Sequence, residues 1–176
     1  MKLFVFLILI AGALHSCNET VKSESNSQSS TAKTLYEKNL ASLQKGISAF
    51  ENENIEQWAE TVSDTTIWNS AVYGSSPAGK EDWKKALMAY FADWDSLKLN
   101  YPDFLPGIDS ATHEFDGSVR YYGIWMGVHK SGVRTSVNMY ATYDFNTEGK
   151  IVNASEFFDF GGLMNAIKGK EKKPAD

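Results

Sequence analysis

The sequence predicts an α+β domain in which helices pack on one face of a curved antiparallel sheet. Three observations carry this. Apolar residues recur at helical spacing through the first half of the chain, the spacing changes to a period of two near residue 95, and turn residues rather than helices separate the period-two segments.

Leu35, Leu40, Leu43, Ile47 and Phe50 lie on one stripe and predict a long first helix. Asn54 is a suitable N-cap for a short second helix, whose buried face is Ile55, Trp58, Ala59 and Val62. "DTTIWNSAVYG" is β-branched and aromatic and closes on Gly74, which predicts a short strand or hairpin. "SSPAGKEDWKKALMAYFADW" opens on turn residues and acidic groups, then sets Trp83, Leu87, Tyr90 or Phe91, and Trp94 along one side of a third helix.

Strands follow. "LKLNYPDFLP", "DSATHEF", "SVRYYGIWMGVHK", "VRTSVNMYATYDF" and the segment after "NTEG" are divided by Asp116-Gly117, by Ser131-Gly132 and by Thr147 to Gly149. That is an antiparallel meander. Gly123 and Gly127 inside the longest strand predict bulges or bends that curl the sheet around a hollow. A short last helix is expected around residues 162–168.

The ends have a different character. Residues 1–16 carry one lysine and an apolar run from Leu3 to Leu14, too short to span a bilayer, in the layout of a removable export signal. Leu14, His15, Ser16 and Cys17 resemble a bacterial lipobox. The resemblance implies a lipid, palmitate among its acyl chains, on Cys17, and hence a membrane-anchored protein of the cell envelope. Cys17 is the only cysteine, so no internal disulfide is available and lipidation accounts for the thiol.

Residues 17–33 are rich in Ser, Asn, Glu and Gln and predict a flexible tether. Residues 34–168 make one domain, and 169–176 a basic, disordered tail. Net charge is −5, and loss of the segment with Lys2 would make it −6. No basic stripe marks the folded part, so nucleic acid is not an expected partner.

"FENENIEQWAETVSDTTIW", "PAGKEDWKKAL" and "EGKIVNASEFFDF", in that order and spacing, resemble the nuclear transport factor 2-like, or SnoaL-like, superfamily. The resemblance implies a cone-shaped pocket used by isomerases, cyclases, hydrolases, dehydratases and binding proteins. It also implies an acid on the last strand just before the closing aspartate, which falls on Glu156. The ketosteroid-isomerase branch has an aspartate where this chain has Asn69 or Ser70, and a tyrosine where it has Gly46. That branch's signature is absent.

Two warrants then disagree about Glu156. With a two-residue turn at Ser131-Gly132 and a three-residue bulged turn at Thr147 to Gly149, Glu156 pairs with Tyr140 and Tyr140 with Gly123. Its face would hold Trp125, Asn138, Tyr140, Thr142, Ala154 and Phe158. The opposite face, with Tyr122, Ile124, Met126, Val137, Met139, Ala141 and Phe157, is the more apolar and should meet the helices. The resemblance puts Glu156 inside; burial puts it outside or in a dimer interface through the sheet face.

The candidate site is therefore Glu156 as proton carrier with Tyr140 beside it, and Trp68, Tyr73, Trp125, Asn138 and Phe158 as ligand contacts. The leading expectation is a domain that binds a small, partly apolar molecule; an enzyme using Glu156 and a protein–protein module are its rivals. His113 and His129 are expected at the surface beside turns. No cofactor is expected, and no metal-ligand spacing is present in the sequence.

Overall fold

The computed structural model describes residues 19–171, with side chains from 31 to 169. Cys17 and the export-signal segment lie outside the described residues, as do residues 172–176 of the tail. Among the described residues no helix is long and apolar enough to cross a membrane.

The first helix, α1, runs from Glu19 to Glu51. Most of the segment expected as a flexible tether is thus helical and continuous with the domain's first helix. Once Leu43 and Ala49 are buried against the domain, each added turn extends an existing nucleus and needs only fair helix formers. Asn54 caps α2 (Ile55–Glu60) as expected, its Oδ1 accepting the Gln57 N–H at 3.0 Å. β1 (Val62–Asn69) follows, then α3 (Lys80–Asp93), whose first turn carries Glu81 and Asp82. Trp94, read as the end of that helix, instead begins β2 (Trp94–Ile108).

β3 (Phe115–His129), β4 (Arg134–Phe145) and β5 (Ile151–Phe157) complete a five-stranded sheet in the order β1-β5-β4-β3-β2. All pairs are antiparallel except the edge pair β1 and β5. The fold class is as the sequence predicts: α+β, a curved, mainly antiparallel sheet with helices on one face. α4 (Phe160–Glu171) ends the described chain and takes in three residues expected in the tail. Asp159 starts it by accepting the Gly162 N–H at 2.7 Å.

Two strand expectations change. "DSATHEF" is not a strand but the loop between β2 and β3. Asp109 Oδ1 accepts from the Ala111 and Thr112 N–H groups and the Thr112 hydroxyl, and His113 sits at φ 61°. A side chain that satisfies three donors locally outcompetes a ladder. The bulges expected at Gly123 and Gly127 belong to β2, whose register against β3 shifts three times while β3 and β4 pair without a break. The glycines are required for close approach: a Cβ at Gly123 would lie 2.6 Å from Leu99 Cδ1, and one at Gly127 2.8 Å from Leu97 Cδ2. Leu97 and Leu99 thereby cross over β3 at the irregular stretch of β2.

The register of β4 decides which way the candidate residues face. Val128 pairs with Arg134 and the His129 N–H bonds to the Val133 carbonyl, so the β3–β4 loop is one residue longer than a two-residue turn. Between β4 and β5 the three-residue turn forms as expected, Asn146 N–H to Lys150 O, but a bulge follows at once. Glu156 therefore pairs with Ala141, and Ala141 with Tyr121, correcting the expected partners Tyr140 and Gly123. On β3 the two offsets cancel; on β4 they exchange the faces. Glu156 shares its side with Tyr143 and with Val137, Met139 and Ala141, the β4 members of the apolar set that burial assigned to the helices, whereas Tyr122, Met126 and Phe157 of that set are exposed on the other face. The two warrants that disagreed now agree.

Candidate functional site

Helices α1 to α3 cover this inner face without filling it. A cavity of about 120 Å³ remains, floored by β3, β4 and β5, roofed by α1 and α3, and reached by Leu163 of α4. A site needs only about 10–15 Å³ of such space to hold a water, so this one takes a small organic molecule. Its walls are largely aromatic. Trp83 stacks on Trp68 with centroids 5.7 Å apart and planes within 6°, and Trp58 meets Trp83 edge to face at 5.0 Å. Phe50 contacts Phe91 at 5.2 Å and Trp125 at 5.1 Å.

Among the described residues Glu156 is the only charged side chain that lines the cavity. The residue is half-buried, and no described side chain or backbone N–H makes a well-formed hydrogen bond to its carboxylate. Loss of water in this apolar setting raises its pKa from 4.5 to about 7, with the Trp68 indole N–H pulling the other way. That N–H faces the carboxylate but falls short of hydrogen-bond geometry and has no other partner. The interaction is a weak offset rather than a clamp. A glutamate in this state exchanges protons near neutral pH, which an exposed one does not.

Other polar groups on the walls are already committed. Trp125 Nε1 donates to the Tyr121 hydroxyl at 2.9 Å, which sits 2.9 Å from Met139 Sδ. Trp94 Nε1 donates to Thr135 Oγ1 at 3.2 Å, and that hydroxyl bonds to the Gly127 carbonyl. Burial holds both Tyr121 and Tyr143 protonated, far above the ordinary tyrosine value. Tyr90 differs: it lines the cavity from α3, and its hydroxyl has no partner among the described residues.

Of the residues named from sequence, Glu156, Trp68, Trp125 and Phe158 line this cavity. Tyr140 and Asn138 stand on the opposite, outer face, because the bulge and the longer loop exchange the sides of β4. Tyr140 stacks there between Tyr122 at 4.7 Å and Phe157 at 5.6 Å. Tyr73 is fully exposed in the loop after β1, away from the cavity. Asn69 also faces away, its Nδ2 donating to Ser155 Oγ at 3.2 Å. Gly46 does reach the cavity; a Cβ there would lie 2.9 Å from Thr61 Oγ1.

His129, expected at the surface, is 5% exposed, with Nδ1 2.8 Å from Ser131 Oγ and its ring against Trp94 at 4.7 Å. The longer loop folds Ser131 back over it. His113 is exposed, as expected. Sequence reasoning missed Tyr90 as a site residue, since "AYF" gave two adjacent aromatics and no means of choosing between them. Among the described residues no three of His, Cys, Asp and Glu stand together as metal ligands.

No family model matches the chain, and no curated protein matches it in sequence. Solved structures do match in fold. A presumed isomerase from Bacillus subtilis is similar at 17% identity, covering 77% of this chain and 96% of its own, with a TM-score of 0.64. The BvnE pinacolase from Penicillium brevicompactum is similar at 15% identity over 78% and 96%, TM-score 0.62. A nuclear transport factor 2-like protein from Burkholderia pseudomallei is similar at 14% identity over 74% and 97%, TM-score 0.59. The fold is therefore nuclear transport factor 2-like. At such identities the likeness fixes architecture and leaves chemistry to the residues of the site.

Proposed function

We propose that this chain is a proton-transfer enzyme acting on a small, uncharged, largely apolar molecule, with Glu156 as general acid/base. The carrying observation is the Glu156 carboxylate in a largely apolar, aromatic-walled cavity, with the Trp68 indole N–H its one weak partner among the described residues. A ligand-binding domain has no need of such a group, because an ionisable carboxylate so weakly partnered costs stability and adds nothing to apolar affinity. Fold neighbours described as a presumed isomerase and as a pinacolase support the enzyme reading over the simple binder.

The chemistry is testable before the natural substrate is known. 2-Indanone is an uncharged aromatic ketone with activated α-hydrogens; incubated in D2O with the folded domain, it should exchange them for deuterium faster than in buffer, as read by proton NMR. Binding without accelerated exchange would return the protein to the class of small-molecule binders.

The outer sheet face supports a further proposal, that a second copy of the chain docks there. Phe157 and Tyr122 are 56% and 51% exposed and lie in one stacked row with Tyr140. Asn138, Thr142 and Ser155, polar and uncharged, stand along it on the same face, with Arg120 and Asp144, of opposite charge, toward its end. Sedimentation should give a dimer that Phe157→Lys converts to a folded monomer; a monomeric wild type would overturn this.

The envelope address is likewise a proposal, resting on the lipobox-like run that ends at Cys17. Cys17→Ser should release the protein from the membrane fraction, and unchanged association would exclude the lipid anchor.

A further inference from the structure

A second hollow, of about 250 Å³, opens where α1 passes the start of β3 and the turn from β4 to β5. It shares no lining residue with the aromatic cavity. Asn39, Asp116, Asp144 and Thr147 bring polar atoms to it, and Leu35 and Phe145 apolar ones. Asn39 is 2% exposed. Its Nδ2 donates to the Gly117 carbonyl at 2.8 Å, which fixes the orientation of the amide and leaves Oδ1 buried without a partner. A buried amide oxygen in that state is costly and calls for a donor.

The carboxylates call for the same kind of partner. Asp116 accepts the Ser118 N–H and hydroxyl through Oδ1 alone, and Asp144 accepts the Asn153 amide through Oδ2 alone. One oxygen of each is therefore spare, and among the described residues neither aspartate is in an ion pair. Cations on adjoining elements are committed elsewhere: Lys38 Nζ donates to the Thr147 carbonyl at 2.7 Å, and Arg120 to the Pro106 carbonyl at 3.0 Å. The hollow thus offers three acceptors, two negative charges and an apolar side.

We infer that it binds a primary alkylammonium group, whose three N–H donors meet Asn39 Oδ1 and the spare oxygens of Asp116 and Asp144 while its stem lies on Leu35 and Phe145. Leu35, 38% exposed and lying over Gly117, turns aside to admit the head group to Oδ1. The site is independent of the Glu156 chemistry. A guanidinium fits less well, because its fork wants both oxygens of one carboxylate and each aspartate has spent one. Calcium wants about six to eight oxygens, and the apolar side offers it nothing.

The test titrates n-butylammonium chloride into the nitrogen-15-labelled chain, read by proton–nitrogen NMR. The Asn39 side-chain amide and the Gly117 and Thr147 backbone signals should shift saturably with a Kd of about 1 mM. The Trp68 and Trp125 indole signals of the aromatic cavity should stay in place. Asp116→Asn and Asp144→Asn keep the oxygens that Ser118 and Asn153 use, so both fold, which a thermal melt verifies; each should weaken binding about fivefold. Nα-acetyl-lysine N-methylamide should bind at the same residues, and the tighter of the two ligands identifies the source as a peptide side chain or a free amine. n-Butanol, with the stem and no charge, should leave these signals unmoved. An unmoved Asn39 amide, unchanged affinity in both variants, or equal shifts with butanol would overturn the inference. So would calcium chloride displacing the amine from the same residues, which would make this a metal site.

Discussion

Replacing Glu156 with Gln should slow deuterium exchange from 2-indanone by roughly 10²- to 10⁴-fold, the range a positioned general base contributes. Binding of the ketone should change little, because the amide keeps the shape of the side chain. In wild type the base must be ionised, so the rate should climb with pH through about 7, where Glu156 titrates, and then level. A flat profile between pH 5 and 9 would deny it that role.

The same substitution should stabilise the fold, and the sign follows from linkage. The folded state raises the Glu156 pKa from 4.5 to about 7, so above pH 4.5 the unfolded chain gives up its proton more readily than the folded one. Stability is unpenalised below pH 4.5, falls as pH rises to about 7, and is constant beyond. The loss is at most about 3 kcal/mol and is reduced by whatever solvent screening the half-buried group retains. Glu156→Gln should abolish this slope and melt higher than wild type at pH 8. Equal melting temperatures at pH 8 would mean that the carboxylate is solvated and the cavity wet. A residue that costs stability where it stands is best accounted for by use.

The second large effect concerns the wall that keeps this cavity dry. Trp83 is 3% exposed, stacked on Trp68 and met edge-on by Trp58, which joins α2, α3 and β1. Trp83→Ala should cost about 3–5 kcal/mol, offset in small part by removal of an indole N–H that is buried without a partner. For a domain of this size that is a fall of roughly 10 °C or more in Tm. The enlarged cavity should also let water reach Glu156, lowering its pKa toward 4.5 in whatever fraction remains folded. A loss below about 1 kcal/mol would show that the indole triad is not part of the core.

Helices were legible because each is a one-dimensional pattern: Leu40, Leu43, Ile47 and Phe50 mark a buried stripe whatever they pack against, and Asn54 caps locally. "DSATHEF" was misread because alternation describes a strand only if the backbone is free to extend. Asp109 commits it to a turn. For Glu156 the burial warrant misled only because of the assumed register, since the apolar β4 residues lie on its own side.

By itself, then, the sequence determined most of the order of helices and strands, the α+β class, and the carboxylate worth testing. Tertiary structure alone decided what surrounds that carboxylate. Side chains alternate with a period of two, so one extra residue in the loop at His129 to Val133 and one bulge after Lys150 exchanged the two faces of β4. Tyr140 went out and Met139 and Tyr143 came in. Tyr90 joined Glu156 from a helix 66 positions away in the chain because α3 packs across the mouth of the curved sheet, a proximity set by burial of the indole cluster and not written in any local pattern.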